Sequence, residues 1–210
     1  MLSKRLNAIA EMVDTKILYD VGCDHALLDI YLSKEKNVKC IAIDKSKDCV
    51  NKAIENCNKF SSNVEVLLND GLNNIDILEN STVVISGMGT KNIIKIIKDK
   101  NIYSLICQTN KNIYELRKNV CMLGYYIVDE KIIFEDKYYI IIKFKKGNKK
   151  YTEKEYFLGP ILLKNKDNLY LNYLENLKNM LEKNIDKYND IKKSKYKQFL
   201  DEIKKEIIEL

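Results

Sequence analysis

Apolar positions follow two rhythms that alternate along this chain. Short runs such as Ile17-Leu18-Tyr19, Cys40-Ile41-Ala42-Ile43, Val64-Glu65-Val66-Leu67-Leu68, Thr82-Val83-Val84-Ile85 and Leu105-Ile106-Cys107 have the length of strands. Between them, apolar residues fall three and four apart. Leu28, Ile30, Tyr31 and Leu32 do so after the first run, and Val50, Ala53, Ile54 and Cys57 after the second. This spacing predicts helices over residues 47–60, 91–98 and 113–122, and an opening helix over 3–13 with Ser3 as its N-cap. Strands alternating with helices predict a parallel sheet. Tyr125-Tyr126-Ile127-Val128 and Tyr138-Tyr139-Ile140-Ile141-Ile142 have only the acidic stretch 129–136 between them, so they are expected to pair antiparallel at one edge.

After residue 147 the pattern changes. Residues 147–150 read as a linker, and Leu158-Gly159-Pro160 breaks the chain again. From Asp167 onward there is no glycine or proline. Tyr170, Leu174, Leu177, Leu181, Tyr188 and Ile191 keep helical spacing; Phe199, Ile203 and Ile207 resume it after a polar break at Lys192-Lys193-Ser194. The expectation is an α/β sheet domain over 1–148 and an antiparallel helical hairpin, or coiled coil, over 149–210. A helical dimerisation element would show the same pattern.

The polar residues collect at predicted strand ends, where open α/β sheets bind ligands. The first such end reads Asp20-Val21-Gly22-Cys23-Asp24-His25-Ala26, with a helix expected to start near Asp24. Gly22 permits a tight turn and close approach of a ligand to the backbone. A dinucleotide fingerprint needs three glycines and a pyrophosphate; here there is one glycine with an acid on either side. Two carboxylates repel a pyrophosphate and suit a cationic amine or sulfonium, as in S-adenosyl-L-methionine. An ordinary strand-to-helix turn can carry the same residues. Asp44, 22 residues past Gly22, stands where such folds hold ribose hydroxyls. Asp70 and Gly71 end the third strand, Ser86-Gly87-Met88-Gly89 the fourth, and Gln108-Thr109-Asn110 the fifth.

Composition narrows the class. At 46% hydrophobic residues a sizeable core can form, and no apolar run reaches membrane-spanning length. The first residues lack the apolar core of a signal peptide. Six scattered cysteines without a C-x-x-C pair read as reduced thiols in the cytoplasm, and a single histidine makes a metal site a poor expectation. The net charge is +6, and residues 145–210 hold 16 lysines against 11 acids. That suits an acidic partner such as RNA, with Lys178, Lys192, Lys193, Lys195 and Lys197 as candidate contacts. A Lys-, Asn- and Ile-rich chain can also be basic through composition alone.

These residues resemble the bacterial tRNA (adenine-22-N1)-methyltransferases along nearly the whole chain. Leu2-Ser3-Lys4-Arg5-Leu6 is similar to that family's opening helix, and Asp20 to Ala26 to its cofactor turn. Gly87-Met88-Gly89, Gln108-Thr109-Asn110 and Gly159-Pro160-Ile161-Leu162 also resemble family motifs. Thr90 stands where the family usually has Gly, Thr109 where it has Pro, and Asp29 where it often has Pro. The resemblance implies a Rossmann-like class I methyltransferase using S-adenosyl-L-methionine, with tRNA as partner; no membrane, no metal and a monomer are the accompanying expectations, although the sequence does not itself reveal the oligomeric state. On that footing Asp20, Gly22, Asp24 and His25 surround the methionine end, Asp44 the ribose, and Asp70 and Gly71 the adenine. Ser86, Gly87, Met88 and Gly89, with Gln108 and Asn110, border the methyl group and the incoming base. Asp24 and the Gly87 carbonyl are the candidates for stabilising charge, and Tyr139 or Met88 for packing on the base. His25 is expected to bind or position. A methyltransferase for a small molecule or protein, or an RNA-binding protein without activity, remains open as an alternative.

Overall fold

The computed structural model describes residues 2–208. It divides into two compact units, residues 1–149 and 150–210.

In the first unit the described residues form a seven-stranded sheet in the order β3-β2-β1-β4-β5-β7-β6. Its strands are β1 (Ile17–Val21), β2 (Lys39–Asp44), β3 (Val64–Leu68), β4 (Thr82–Met88), β5 (Ser104–Thr109), β6 (Tyr125–Phe134) and β7 (Tyr138–Lys146). The first five are parallel, and β7 runs antiparallel to both β5 and β6. The expected Rossmann-like, mostly parallel sheet with its antiparallel hairpin is therefore the observed one. The helices are α1 (Lys4–Met12), α2 (Leu27–Lys36), α3 (Lys47–Lys59), α4 (Thr90–Ile97) and α5 (Ile113–Met122). Ser3 and Ser46 cap α1 and α3 by accepting from the backbone N–H of Leu6 and Cys49. Ile9, Ala10 and Met12 of α1 pack with Leu28 and Leu32 of α2 against Leu18, Val84, Ile106 and Ile141 of the central strands. Burial of these side chains is what holds the strand ends in register beneath the site.

Three expectations change. The acidic stretch after Val128 is strand rather than loop, because β6 continues to Phe134. Glu130 can lie there because Arg117 Nε meets its carboxylate at 2.7 Å, both side chains fully buried. Residues 86–88 belong to β4 and not to a following loop, and the ladder with β5 shifts between Ser86 and Met88 around Gly87, at φ +78°. The helix after β1 begins at Leu27 rather than near Asp24.

In the second unit, α6 (Glu153–Leu158) and α7 (Leu162–Asn165) flank Gly159-Pro160. Two long helices follow, α8 (Asn168–Asn184) and α9 (Asp190–Ile208), joined by a 3-10 turn at Ile185–Lys187. Ion pairs Glu182–Lys204 and Asp186–Lys193 show that they run antiparallel. Leu174 and Leu181 of α8 and Phe199 and Ile203 of α9 are buried, and Phe157 stacks on Phe199 at 3.8 Å. The break falls at the 3-10 turn rather than at Lys192-Lys193-Ser194, which lies inside α9. Ile191, expected on an apolar face, is 85% exposed. The lysine excess also moves. Lys145, Lys146 and Lys149 belong to the first unit, leaving 13 lysines against 11 acids in the second.

Candidate active site

The loop between β1 and α2 forms one wall of a cleft at the C-terminal ends of the parallel strands. Gly22, at φ +84°, turns the chain so that its own N–H and that of Cys23 donate to the Ile43 carbonyl at 2.8 and 3.1 Å. Few side chains tolerate that dihedral, and a Cβ at Gly22 would run into the Met88 methyl. Asp24 and Ala26 are both left-handed, at φ +52°, which delays α2 until Leu27. Asp44, across the cleft mouth, accepts from the backbone N–H of Ser46 at 2.9 Å and of Asp24 at 3.3 Å. It thereby ties the β1 loop to the end of β2.

A cavity of about 550 Å³ opens here, within the range of small-molecule sites. Gly22, Asp24, Asp44, Asp70, Gly71, Ser86, Gly87, Met88 and Asn110 line it, as do Arg5, Lys45, Asn69 and Lys95. A recess of about 100 Å³ adjoins Arg5, Asp20, Asp24, His25 and Ser86. His25 Nε2 lies 3.5 Å from Asp24 Oδ1. Gly89, Gln108 and Tyr139 line neither space.

Gln108 is instead a buried hub, 1% exposed. Its Oε1 accepts from Gly87 N–H at 3.0 Å, Ser86 Oγ at 3.1 Å and Arg5 Nη1 at 3.2 Å. Its amide donates to Asn110 Oδ1 at 3.2 Å, and Asn110 Nδ2 donates to the Gly87 carbonyl at 2.8 Å. The hub thus fixes the backbone around Gly87 and sets Asn110 on the rim. Thr90 and Thr109, both departures from the family motifs, bond to each other at 3.1 Å. Thr109 also donates to the Met88 carbonyl at 3.1 Å. The threonine pair holds this loop by hydrogen bonds where a proline would hold it by ring constraint.

Beneath the β1 loop, Asp20 and Asp29 are both buried, and each carboxyl is perturbed by the other. Neither oxygen of Asp29 has a protein hydrogen-bond donor in good geometry. Burial, then the charge of Asp44, push the Asp20 carboxyl up to about 6, against hydrogen bonding to Asp29. Burial and Asp20 push Asp29 well up. Burial, reinforced by these acids, also pushes the Cys23 thiol up, which leaves it an inert packing group. Among the described residues no group of His, Cys, Asp or Glu is placed to hold a metal, and no helix is long and apolar enough to cross a membrane.

Arg5 lines both spaces but stands out weakly in the sequence, where it reads as a first-turn cation. The available signal is compositional: only Arg5 and Arg117 are arginine among 36 cationic residues.

A methyltransferase-domain profile matches residues 2–142. Over 79% of this chain and 81% of its own length, a Mycoplasma genitalium protein assigned as a tRNA methyltransferase, MG248, is 34% identical. The structure of Mycoplasma capricolum TrmK with S-adenosyl-homocysteine covers 99% of this chain and 98% of its own, at 31% identity and a TM-score of 0.84. This chain belongs to the TrmK family of methyltransferases. Streptococcus pneumoniae Sp1610, assigned as a tRNA (m1A22) methyltransferase and solved with S-adenosyl-L-methionine, is also similar: 27% identical, with a TM-score of 0.88 over 99% of this chain and all of its own. Family membership accounts for the single-glycine turn, and the residues present fit the family's cofactor. Asp24, Asp44 and Asp70 line the cavity together with Arg5, Lys45 and Lys95, so it offers carboxylates to a cationic group and to ribose hydroxyls and a guanidinium to a carboxylate.

Proposed function

We propose that this chain methylates N1 of an adenosine in tRNA, position 22 of the D-loop, using S-adenosyl-L-methionine. The observation that carries the reading is the cavity at the ends of β1, β2 and β4, with Asp24, Asp44 and Asp70 in its wall, in a chain of the TrmK family. On this reading Asp20, Asp24 and His25 face the α-amine, and Arg5 supplies the counter-charge for the α-carboxylate. Asp44 offers its carboxylate to the ribose, Asp70 and Gly71 frame the adenine, and Gly22 and Ser86 border the sulfur end. The protein acts as a monomer in the cytoplasm.

When bound, S-adenosyl-L-methionine supplies an electrophilic methyl on a sulfonium. The chain then has three tasks. It must admit an unstacked base, align N1 on the line of the methyl–sulfur bond, and tolerate the positive ring that results. N1 of adenine carries a free lone pair once unpaired, so no side chain has to remove a proton before transfer. Asn110 stands on the rim with its amide fixed by Gln108 and Gly87, placed to meet the base edge. Gly89 opens the chain at the start of α4, where nothing lies within 4 Å of a notional Cβ. Asp24 and the Gly87 carbonyl offset the charge that develops on the base. Gln108 and Tyr139 act at one remove, through Gly87, Asn110 and Arg5.

The test is incubation of the protein with labelled cofactor and unmodified tRNA, then nucleoside analysis. Label in 1-methyladenosine, abolished when adenosine 22 is replaced by guanosine, is the expected result. Label in another nucleoside, or in protein, would refute the assignment.

A further inference from the structure

The turn between β6 and β7 carries more aromatic and cationic surface than closing a hairpin requires. Phe134 is 45% exposed, and its ring meets that of its cross-strand partner Tyr138 at 4.9 Å. Tyr139 points to the opposite face of the sheet. There the Arg5 guanidinium lies 5.5 Å from the Tyr139 ring centre and the Lys137 ammonium 5.1 Å. Two acids share the turn, and both are engaged. Glu135 accepts from the Lys4 backbone N–H, and Asp136 accepts from the Tyr139 hydroxyl at 2.9 Å. Lys4, Arg5 and Lys137 outnumber them.

The position of this turn gives the surface a use. Strand β7 is antiparallel to β5, with Ile141 opposite Gln108. Tyr139, Tyr138 and the turn therefore extend past Gln108 toward the end of the sheet where the cavity opens. Arg5 bridges the two places, stacking on Tyr139 and donating to Gln108 at 3.2 Å. A cross-strand aromatic pair by itself stabilises a hairpin. It does not account for a half-exposed Phe134 ring at a turn whose other face sets Arg5 and Lys137 on Tyr139, with Arg5 bonded to the hub of the site.

We propose that this turn is a stacking platform for an unpaired RNA base next to the methylated adenosine. Phe134 and Tyr138 take the base on one face, and Lys137, held over Tyr139 on the other, takes the phosphate where the strand crosses the turn. The inference rests on the tRNA reading above. An adenosine whose N1 must reach the cleft leaves its stack, so its neighbour loses a stacking partner. An exposed ring replaces that partner for any base, since every base has a π-face, and a nearby cation holds the backbone.

The experiment is steady-state methylation of unmodified tRNA by the full-length protein and three variants, Phe134→Leu, Phe134→Tyr and Lys137→Gln. Donor affinity and thermal stability are measured alongside. Phe134→Leu should raise KM for tRNA about tenfold, with kcat and donor affinity within about twofold of the parent. Phe134→Tyr keeps a ring and should restore KM. Lys137→Gln should raise KM and reduce the salt dependence of tRNA binding by about one counterion. An unchanged KM in Phe134→Leu would overturn the platform while leaving the tRNA reading intact. So would a KM change that merely follows loss of stability and donor affinity, which would make Phe134 a hairpin staple. A wild-type protein that methylates no tRNA would instead remove the tRNA reading, and the platform with it.

Discussion

Asp29 sits fully buried in the first turn of α2 and shares its surroundings with Asp20. Replacing it by asparagine keeps the volume, removes one ionisable group and gives Asp20 an N–H donor. Raising the Asp20 carboxyl from 3.8 to about 6 corresponds to about 3 kcal/mol of differential interaction between its two protonation states. Asp20 is 6% exposed, so solvent screening takes little from that figure. The folded protein holds this proton more tightly than the unfolded chain. The stabilisation it provides is therefore complete below about pH 4 and is lost as pH rises through about 6.

Asp29→Asn leaves that burial cost on Asp20 but removes the Asp29 carboxyl, whose own proton burial and Asp20 hold well above its affinity in the unfolded chain, while the amide N–H replaces the donor that Asp29 offers Asp20. The variant should gain about 1–2 kcal/mol at about pH 8 and almost nothing at about pH 4. For a chain of this size each kcal/mol moves Tm by about 2–4 °C. The chain has no tryptophan, so far-UV circular dichroism is the suitable probe, with urea titrations at both pH values. A variant destabilised equally at both would refute the reasoning, since it would show that Asp29 acts through packing or the helix dipole. A variant unchanged at both would refute it too.

Gly22→Ala should weaken donor binding at least about tenfold by calorimetry, because the dihedral of +84° is strained for alanine and the loop must shift to relieve it; the Met88 methyl can swing aside. Gln108→Ala should lower kcat about 10- to 100-fold, with donor affinity falling far less, because it frees Gly87 and Asn110 together; steady-state and binding measurements separate the two. Lys192→Glu and Lys197→Glu, in no ion pair among the described residues, should weaken tRNA binding and flatten its salt dependence. Lys193→Gln should do so less, because Asp186 at 2.7 Å already offsets Lys193.

The strand runs and helical spacings of the first unit were legible because burial imposes them: Leu18, Cys40, Val84 and Ile106 are fully buried. The turn Asp20 to Ala26 was legible for a different reason, since its chemistry survives without its coordinates. What escaped depends on partners far apart in the chain. Glu130 reads as loop polarity until Arg117 is brought against it. Gln108 reads as a substrate contact until the bulge at Gly87 turns its carboxamide inward, 21 residues from its backbone partner. The lysines of α8 and α9 read as a basic surface until folding sets Lys178, Lys193 and Lys204 beside Glu175, Asp186 and Glu182. Periodicity finds elements; it carries no information about which charges meet.

The two arginines make the same point in reverse. In a chain whose other 34 cations are lysine, guanidinium is kept at the two places where a planar, forked donor is needed. Arg117 is fully buried, with Nε on Glu130, and ties α5 to β6. Arg5 stacks on Tyr139 and donates to Gln108 while facing the cavity. Lysine can reproduce the charge at either place but not the fork. Arg117→Lys should therefore cost stability, about 3 kcal/mol in urea titration, because Glu130 stays buried against a poorer partner, and leave donor affinity nearly unchanged at temperatures where it remains folded. Arg5→Lys should do the opposite, with a small stability change and a clear rise in the donor Kd. Equal effects of the two substitutions on stability and on donor affinity would show that composition, rather than geometry, set these two residues.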